Sequence, residues 1–233
     1  AFGIFAWLIS TVDINRYKPE IIAAVEHMSG RTLVIVGDIS LHPNLIPTLK
    51  VDGIRLGNLP WAKHPTMLSA DHVEARLALV PLLFGEVSLR RLSIDNAELN
   101  LETNESNQNN WSFATEIDGS QTFDLPTFDI TALEINNTII SHQAFGEGHN
   151  SLKISDVNLR KKDSHNKLAL TAKASVNGEK LTILGEIDPI KRFFENKGYH
   201  LSVNFKHRVF DFAIEGSVGQ PLTLEALDLF ATA

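Results

Sequence analysis

The sequence predicts a mainly β protein: a truncated apolar segment and a short amphipathic helix, then one long, largely antiparallel succession of strands. Three observations carry this. Residues 13–41, DINRYKPEIIAAVEHMSGRTLVIVGDISL, read as a helix that stops at a glycine and runs directly into an alternating strand. From Thr32 onward apolar residues recur with a period of two. Turn signals punctuate the rest regularly, Asn177-Gly178 being the strongest.

At 233 residues the chain can bury a full core, as one large β domain or as part of a longer repetitive sheet. Hydrophobic residues make up 43% and charged residues 21%, which excludes a disordered chain and a multispanning membrane protein. The net charge of −7 argues against a nucleic-acid footprint, which needs clustered Lys and Arg. Only Arg90-Arg91 and Arg160-Lys161-Lys162 form basic runs, and such runs are ordinarily solvated strand or turn positions. Cysteine is absent, so disulfides, thiolate catalysis and thiolate metal sites are excluded while the compartment stays open.

Ala1–Val12, AFGIFAWLISTV, carries no charge. A membrane-spanning helix needs ~20 apolar residues, and twelve cover roughly 18 Å of a hydrocarbon layer about 30 Å thick. The segment is therefore expected to be the C-terminal half of a transmembrane anchor. Phe2, Ile4, Phe5, Trp7, Leu8 and Ile9 would lie in the bilayer, with Trp7 near the interface and Asp13 just outside. The alternative is an apolar strand or helix within a soluble core.

Residues 13–31 are expected to form the amphipathic helix. Pro19 suits a first turn, Ile21, Ile22, Val25 and Met28 recur at helical spacing opposite Glu20, Glu26 and His27, and Gly30 supplies the stop. Then Leu33, Ile35, Gly37, Ile39 and Leu41 fall on one strand face, with Val34 and Val36 on the other. The helix is expected to pack on the beginning of a sheet.

Leu49–Asn58 reads as a strand passing through a glycine, and Ser69–Leu79 alternates again. Pro81–Gly85 reads as one helical turn. Val87, Leu89, Leu92, Ile94, Leu99 and Leu101 mark two strands joined around Asp95-Asn96. A polar tip over residues 103–110 precedes Trp111 and Phe113, which are expected to be buried strand residues. Phe128, Ile130, Leu133, Ile135, Ile139 and Ile140 form a strand pair around Asn136-Asn137, and Leu152–Leu159 follows as a strand. Leu168, Leu170, Ala172 and Ala174 lead to the Asn177-Gly178 hairpin, with Leu181, Ile183 and Gly185 beyond it. After a short helix within 188–196, Leu201, Val203 and Phe205 alternate, and Phe210, Phe212 and Ile214 alternate back after a turn at Lys206-His207-Arg208. Leu222–Phe230 is the last strand.

Such a sheet, wet on one face, must cover its apolar face with a second sheet, a helix or something else, and few helices are available. The ordinary solution is a β-sandwich. The other is a curled sheet whose apolar interior stays open.

Chemistry is sparse. The nine histidines include no His-Glu-x-x-His or His-x-His spacing, and His142 and His149 share only a loop. Neither a G-x-S-x-G elbow nor a phosphate-binding P-loop occurs, and Gly146-Glu147-Gly148 lacks a third glycine. Asp118, Asp124 and Asp129 lie in a connector that does not place them as a catalytic pair. No enzyme, metal site or cofactor is expected.

Four stretches in order, residues 13–41, VDGIRLGN at 51–58, ADHVEARLALVPLLFGEVSLRRLSIDNAELNLE at 70–102 and NNWSF at 109–113, resemble the N-terminal region of the AsmA family. The remainder agrees only in strand-rich character. The resemblance implies a protein held in the bacterial inner membrane by a single N-terminal anchor, with its bulk in the periplasm. It also implies a long curled sheet with an apolar groove, similar to bridge-like lipid-transfer proteins, and a role in outer-membrane lipid homeostasis. The chain then divides into the anchor at 1–12, the helix at 13–31, an AsmA-like β region at 32–113 and continuing sheet repeats at 114–233.

On this reading Leu201, Val203, Phe205, Phe210, Phe212 and Ile214 are lipid-groove candidates, and Ile21, Ile22, Val25 and Met28 cap the sheet end. The expected partners are membrane phospholipid and the inner membrane itself, with no nucleic acid. The alternative is a structural accessory subunit that docks onto another inner-membrane protein complex through its strand edges. Family members are usually longer than this chain. A sheet advances only ~4.8 Å per strand, so fifteen strands advance about 70 Å.

Overall fold

The computed structural model describes residues 14–42, 46–83, 88–112, 127–146, 148–162, 166–176, 178–221 and 225–232. A 3-10 turn at Ile14–Tyr17 leads into helix α1, Lys18–Ser29, with Pro19 in its first turn. Gly30 ends it in a left-handed conformation (φ 65°), its N–H bonded to the Glu26 carbonyl at 2.8 Å. The strands are β1 (Leu33–Ile35), β2 (Ile39–His42), β3 (Thr48–Gly57), β4 (Thr66–Leu77), β5 (Ser88–Thr103) and β6 (Thr127–Ala144). They continue as β7 (His149–Lys161), β8 (Leu168–Val176), β9 (Glu179–Ile187), β10 (Tyr199–His207), β11 (Asp211–Gln220) and β12 (Glu225–Thr232). Two short helices interrupt them: α2 at Leu79–Leu83, which overlaps the turn expected over 81–85, of which residues 84 and 85 lie outside the described residues, and α3 at Ile190–Phe194, within the expected 188–196.

All twelve strands belong to one sheet that does not close. From β3 to β12 each strand pairs with its sequence neighbour, while β1 and β2 share β3 as partner. The chain therefore advances one strand at a time, and the described strands build no second, facing layer. This corrects the sandwich solution. Every pairing is antiparallel except β5 with β6, which is parallel, β6 starting at the end of the sheet where β5 began. The sheet is thus mixed.

One expected strand is broken, and two expected turns are not turns. Residues 32–41 do not form one strand: Val36 and Gly37 break the run, their N–H groups bonding the Gly53 and Asp52 carbonyls of β3 at 2.8 and 2.9 Å. A Cβ on Gly37 would lie 3.0 Å from that Asp52 oxygen, so only glycine permits the approach. Asp95-Asn96 and Asn136-Asn137 do not separate strands either, since β5 and β6 run straight through them. Instead Asn96 (φ 53°) and Asn137 (φ 49°) are single left-handed residues, a conformation asparagine tolerates better than most.

These residues belong to one row. Asp52, His72, Asp95, Asn136 and Asp156 pair in register across β3 to β7, and the next residue on the same side in each strand is passed over: Gly53, Asp71, Asn96, Asn137 and Ser155. An extra residue switches the parity of everything beyond it. Leu92 and Ile94 therefore share a face with Ala97 and Leu99 in β5, as Leu133 and Ile135 share one with Ile140 in β6. The bulges are locked on the outer face, where the Asn136 amide donates to Asp95 and the Asn137 amide to Asn96, both at 2.7 Å.

The core sits at the N-terminal end. Leu33, Ile35, Ile39, Val51, Leu56 and Met67 form one buried cluster, and Ile21, Ile22 and Val25 of α1 pack onto it with Trp111. Trp111 is half-buried in a turn rather than in a strand, and Phe113 lies outside the described residues. Replacing Ile21 and Val25 with Asp is expected to cost about 2–4 kcal/mol through lost packing and carboxylate burial. Hydrogen exchange should then speed up in β1–β4 while β9–β12 keep their protection.

Candidate functional site

In-register alternation lays apolar residues in rows that cross the whole sheet. One row runs from Leu49 through Ala75, Leu92, Leu133 and Leu159 to Leu170, then Gly185, Val203, Ile214 and Ala231. The next runs from Val51 through Val73, Ile94, Ile135, Val157, Ala172 and Ile183 to Phe205 and Phe212. The opposite face carries the polar row at the bulges, where Asp52 hydrogen-bonds His72 at 2.7 Å and raises its pKa. One face is therefore apolar from β3 to β11, and only its first strands lie under α1.

Of the six residues singled out, the five within β10 and β11 fall on this face, and Phe210 stacks beside them. Phe205 stands opposite Phe212, Val203 opposite Ile214 and Leu201 opposite Gly216. Phe205 and Phe212 stack with centroids 4.9 Å apart, Phe210 tilts against Phe212 at 5.5 Å, and His207 stacks on Phe210 at 4.5 Å. Val203 is buried, whereas Phe210 lies just before β11 and is 45% exposed. Sequence reasoning missed His207, assigned to a turn although it ends β10, and the equivalent residues of β3 to β9. Their common face follows only from the register.

Of the expected sheet-end cap, Ile21, Ile22 and Val25 touch the core cluster, and the Met28 side chain lies outside the described residues. The anchor candidates Phe2, Ile4, Phe5, Trp7, Leu8 and Ile9 also lie outside them. No helix among the described residues is long and apolar enough to cross a membrane.

Buried charge concentrates in two knots. At one end of the sheet the Glu102 carboxylate accepts from the N–H groups of Lys63 (2.8 Å) and His64 (2.9 Å) and meets the His64 ring at 3.2 Å. Asn110, fully buried, donates to Asn100 O (2.7 Å) and Asn58 Oδ1 (3.1 Å) and accepts from Glu102 N (2.9 Å), while Arg31 donates to the Asn110 carbonyl. Burial alone would raise the Glu102 pKa, but the N–H bonds from His64 and Lys63 outweigh it and hold the carboxyl below its ordinary range. At the other end Asp188 binds Lys167 Nζ (2.6 Å) and His200 N (2.9 Å), which depress it against the opposing effect of burial. Tyr199 donates to the Asp188 carbonyl at 2.7 Å, and burial pushes its phenol well above the usual value.

Both carboxylates are saturated by structural partners, so these knots tie ends of the sheet together rather than present reactive groups. A cleft of about 390 Å³ opens beside Glu102, between Trp61 and Phe145. Asp129 pairs with Arg90, His142 lies edge-on to Trp111 at 5.8 Å, and Asp118, Asp124 and the His149 side chain are outside the described residues. Among the described residues no three His, Asp or Glu gather as metal ligands.

The AsmA family profile matches residues 3–188. The chain belongs to the AsmA family. The match reaches well past residue 113, where the recognisable motifs end, and takes in the sheet as far as β9. No curated protein and no solved structure matches the chain. Family membership suggests a membrane- or lipid-related role, and within the described residues the apolar sheet face is the feature suited to it.

Asn110→Ala is expected to cost roughly 2–4 kcal/mol, since it strands the buried Glu102 N–H and Asn100 carbonyl. The depressed Glu102 and Asp188 contribute stability that is fully present above their unfolded-state pKa, near about 4. It is lost as pH falls through their lower folded-state values. Glu102→Gln should flatten this acid limb in urea titrations at stepped pH.

Proposed function

We propose that this AsmA-family protein is anchored in the inner membrane and binds or transfers phospholipid in the periplasm for outer-membrane homeostasis. The sheet would curl so that its apolar face forms a groove for acyl chains while headgroups stay in water. The observation that carries this reading is the apolar face itself, continuous from β3 to β11, with α1 packed over its first strands and α3 against β6. Covering eight CH₂ groups, about half of a common acyl chain, is worth roughly 6 kcal/mol. Lipid would therefore supply the second layer that the described strands and helices leave out. The apolar Ala1–Val12 segment supports the anchor, and the family supports the compartment. The activity is binding rather than catalysis, consistent with carboxylates engaged in structural knots.

A second reading, an accessory subunit docked onto another inner-membrane complex, draws on β12. Its residues are all exposed, and its outer edge pairs with no described strand.

Native mass spectrometry of the purified protein is expected to find phospholipid in stoichiometric amount, lost on Phe205→Asp or Phe212→Asp with the strand circular-dichroism signal retained. Lipid-free protein that elutes stably with other membrane subunits would sink the first reading and favour the second.

A further inference from the structure

The two basic runs, separate in sequence, meet at one end of the sheet because β5 begins where β7 ends. Register sets Arg91 opposite Arg76 on one side and opposite Ala132 on the other, and Ala132 opposite Arg160. Three arginines thus lie in one row across four strands. Like charges directly opposite destabilise a sheet. Glu134 serves both Arg91 (3.2 Å) and Arg160 (3.7 Å), and Glu74 serves both Arg76 (3.0 Å) and Lys50 (3.3 Å), so shared carboxylates leave excess positive charge here.

The same sharing recurs nearby. Asp188 serves Lys167 and Arg192, and Glu195 serves Lys191 and Lys197, at the same strand ends. Among the described residues, cations at this end outnumber the carboxylates they pair with, in a chain whose net charge is −7. Exposed apolar side chains stand among them: Val80 of α2 (65% exposed) and Ile46 before β3 (55%). The 3-10 turn at Ile14–Tyr17 packs on β2, where Asn15 accepts from Ile39 N at 2.8 Å, and β2 runs on toward this end.

Cations that outnumber their carboxylates, with Lys162 on Glu186, Lys191 on Glu195 and Arg160 on the shared Glu134, stand here among protruding apolar side chains. Such a surface suits the headgroup layer of an anionic membrane, where phosphates take the excess charge and the apolar tips enter below them. We propose that this end of the sheet is a docking surface for an anionic phospholipid bilayer. Arg160, Lys161, Lys162 and Lys191 engage headgroup phosphates, and Val80 and Ile46 enter the interfacial layer. Docking here would bring one end of the apolar face to the lipid it is proposed to receive, so the inference rests on that reading for its purpose but not for its test.

The chain has no cysteine, so single labels report position cleanly. Val80→Cys and, at the opposite end, Val209→Cys (76% exposed in the native chain) are each labelled with the environment-sensitive fluorophore NBD in the 233-residue protein. Vesicles of phosphatidylethanolamine with phosphatidylglycerol are compared with vesicles of phosphatidylcholine alone. The label at 80 is expected to brighten severalfold on the anionic vesicles only, less at high salt, with the label at 209 unchanged. Lys161→Glu with Lys162→Glu and Lys191→Glu should weaken partitioning by roughly tenfold or more while co-purified lipid stays the same. A response at 209 equal to or above that at 80, no response at either label, as expected if an acidic protein were the partner, or a charge-reversed variant that binds undiminished overturns the proposal. Loss of co-purified lipid with docking intact would overturn the groove reading instead.

Discussion

Side chains alternate along a strand with a period of two, so one extra residue swings every later side chain to the other face. In β3 to β7 the extra residues occur in the same row, and the apolar sequence pattern changes parity at that row in each strand. Matched bulges therefore keep one face apolar across strands as long as sixteen residues in β5 and eighteen in β6. A single unmatched strand would place Leu or Ile on the wet face and polar side chains on the dry one. The Asn96–Asn137 and Asp95–Asn136 hydrogen bonds hold the row where two parallel strands meet. Every proposal about the apolar face depends on this phasing.

A single-layer sheet has little interior in which to bury side chains, and this one concentrates its tertiary ties accordingly. The apolar cluster under α1 secures the first strands. The Arg31–Asn110–Glu102 knot fastens the α1–β1 junction to the end of β5, and the Asp188 knot joins the start of β8 to the β9–β10 connection. Buried charge is costly unless every hydrogen-bonding position is met, and both carboxylates meet that condition with backbone N–H donors. Elsewhere the backbone ladder is the main tie, with α3 packed against β6.

The candidate residues of β10 and β11 were legible because Leu201, Val203, Phe205, Phe212 and Ile214 alternate cleanly about a hairpin, and short-range alternation survives into structure unchanged. Their relation to Val51, Ile94 or Ile135 was not legible, since which residues share a row is settled by register between strands. Misreading Asp95-Asn96 and Asn136-Asn137 as turns has a definite cause. A change of apolar parity at an asparagine describes a hairpin and a bulge equally well, and the partner strand decides between them. Arg76, Arg91 and Arg160, far apart in sequence, likewise became a charged row only through pairing.

By itself the sequence determined the strand-rich character, the helix stopped at Gly30, the antiparallel β8–β9 pair and the family, because each depends on local spacing or on motifs in order. Tertiary structure alone decided that the strands form one open mixed sheet rather than two facing ones, that β5 and β6 run parallel, and that the basic runs share an end. These are long-range outcomes: an amphipathic strand needs some cover for its apolar face, but nothing within the strand specifies whether that cover is another sheet, a helix or a lipid.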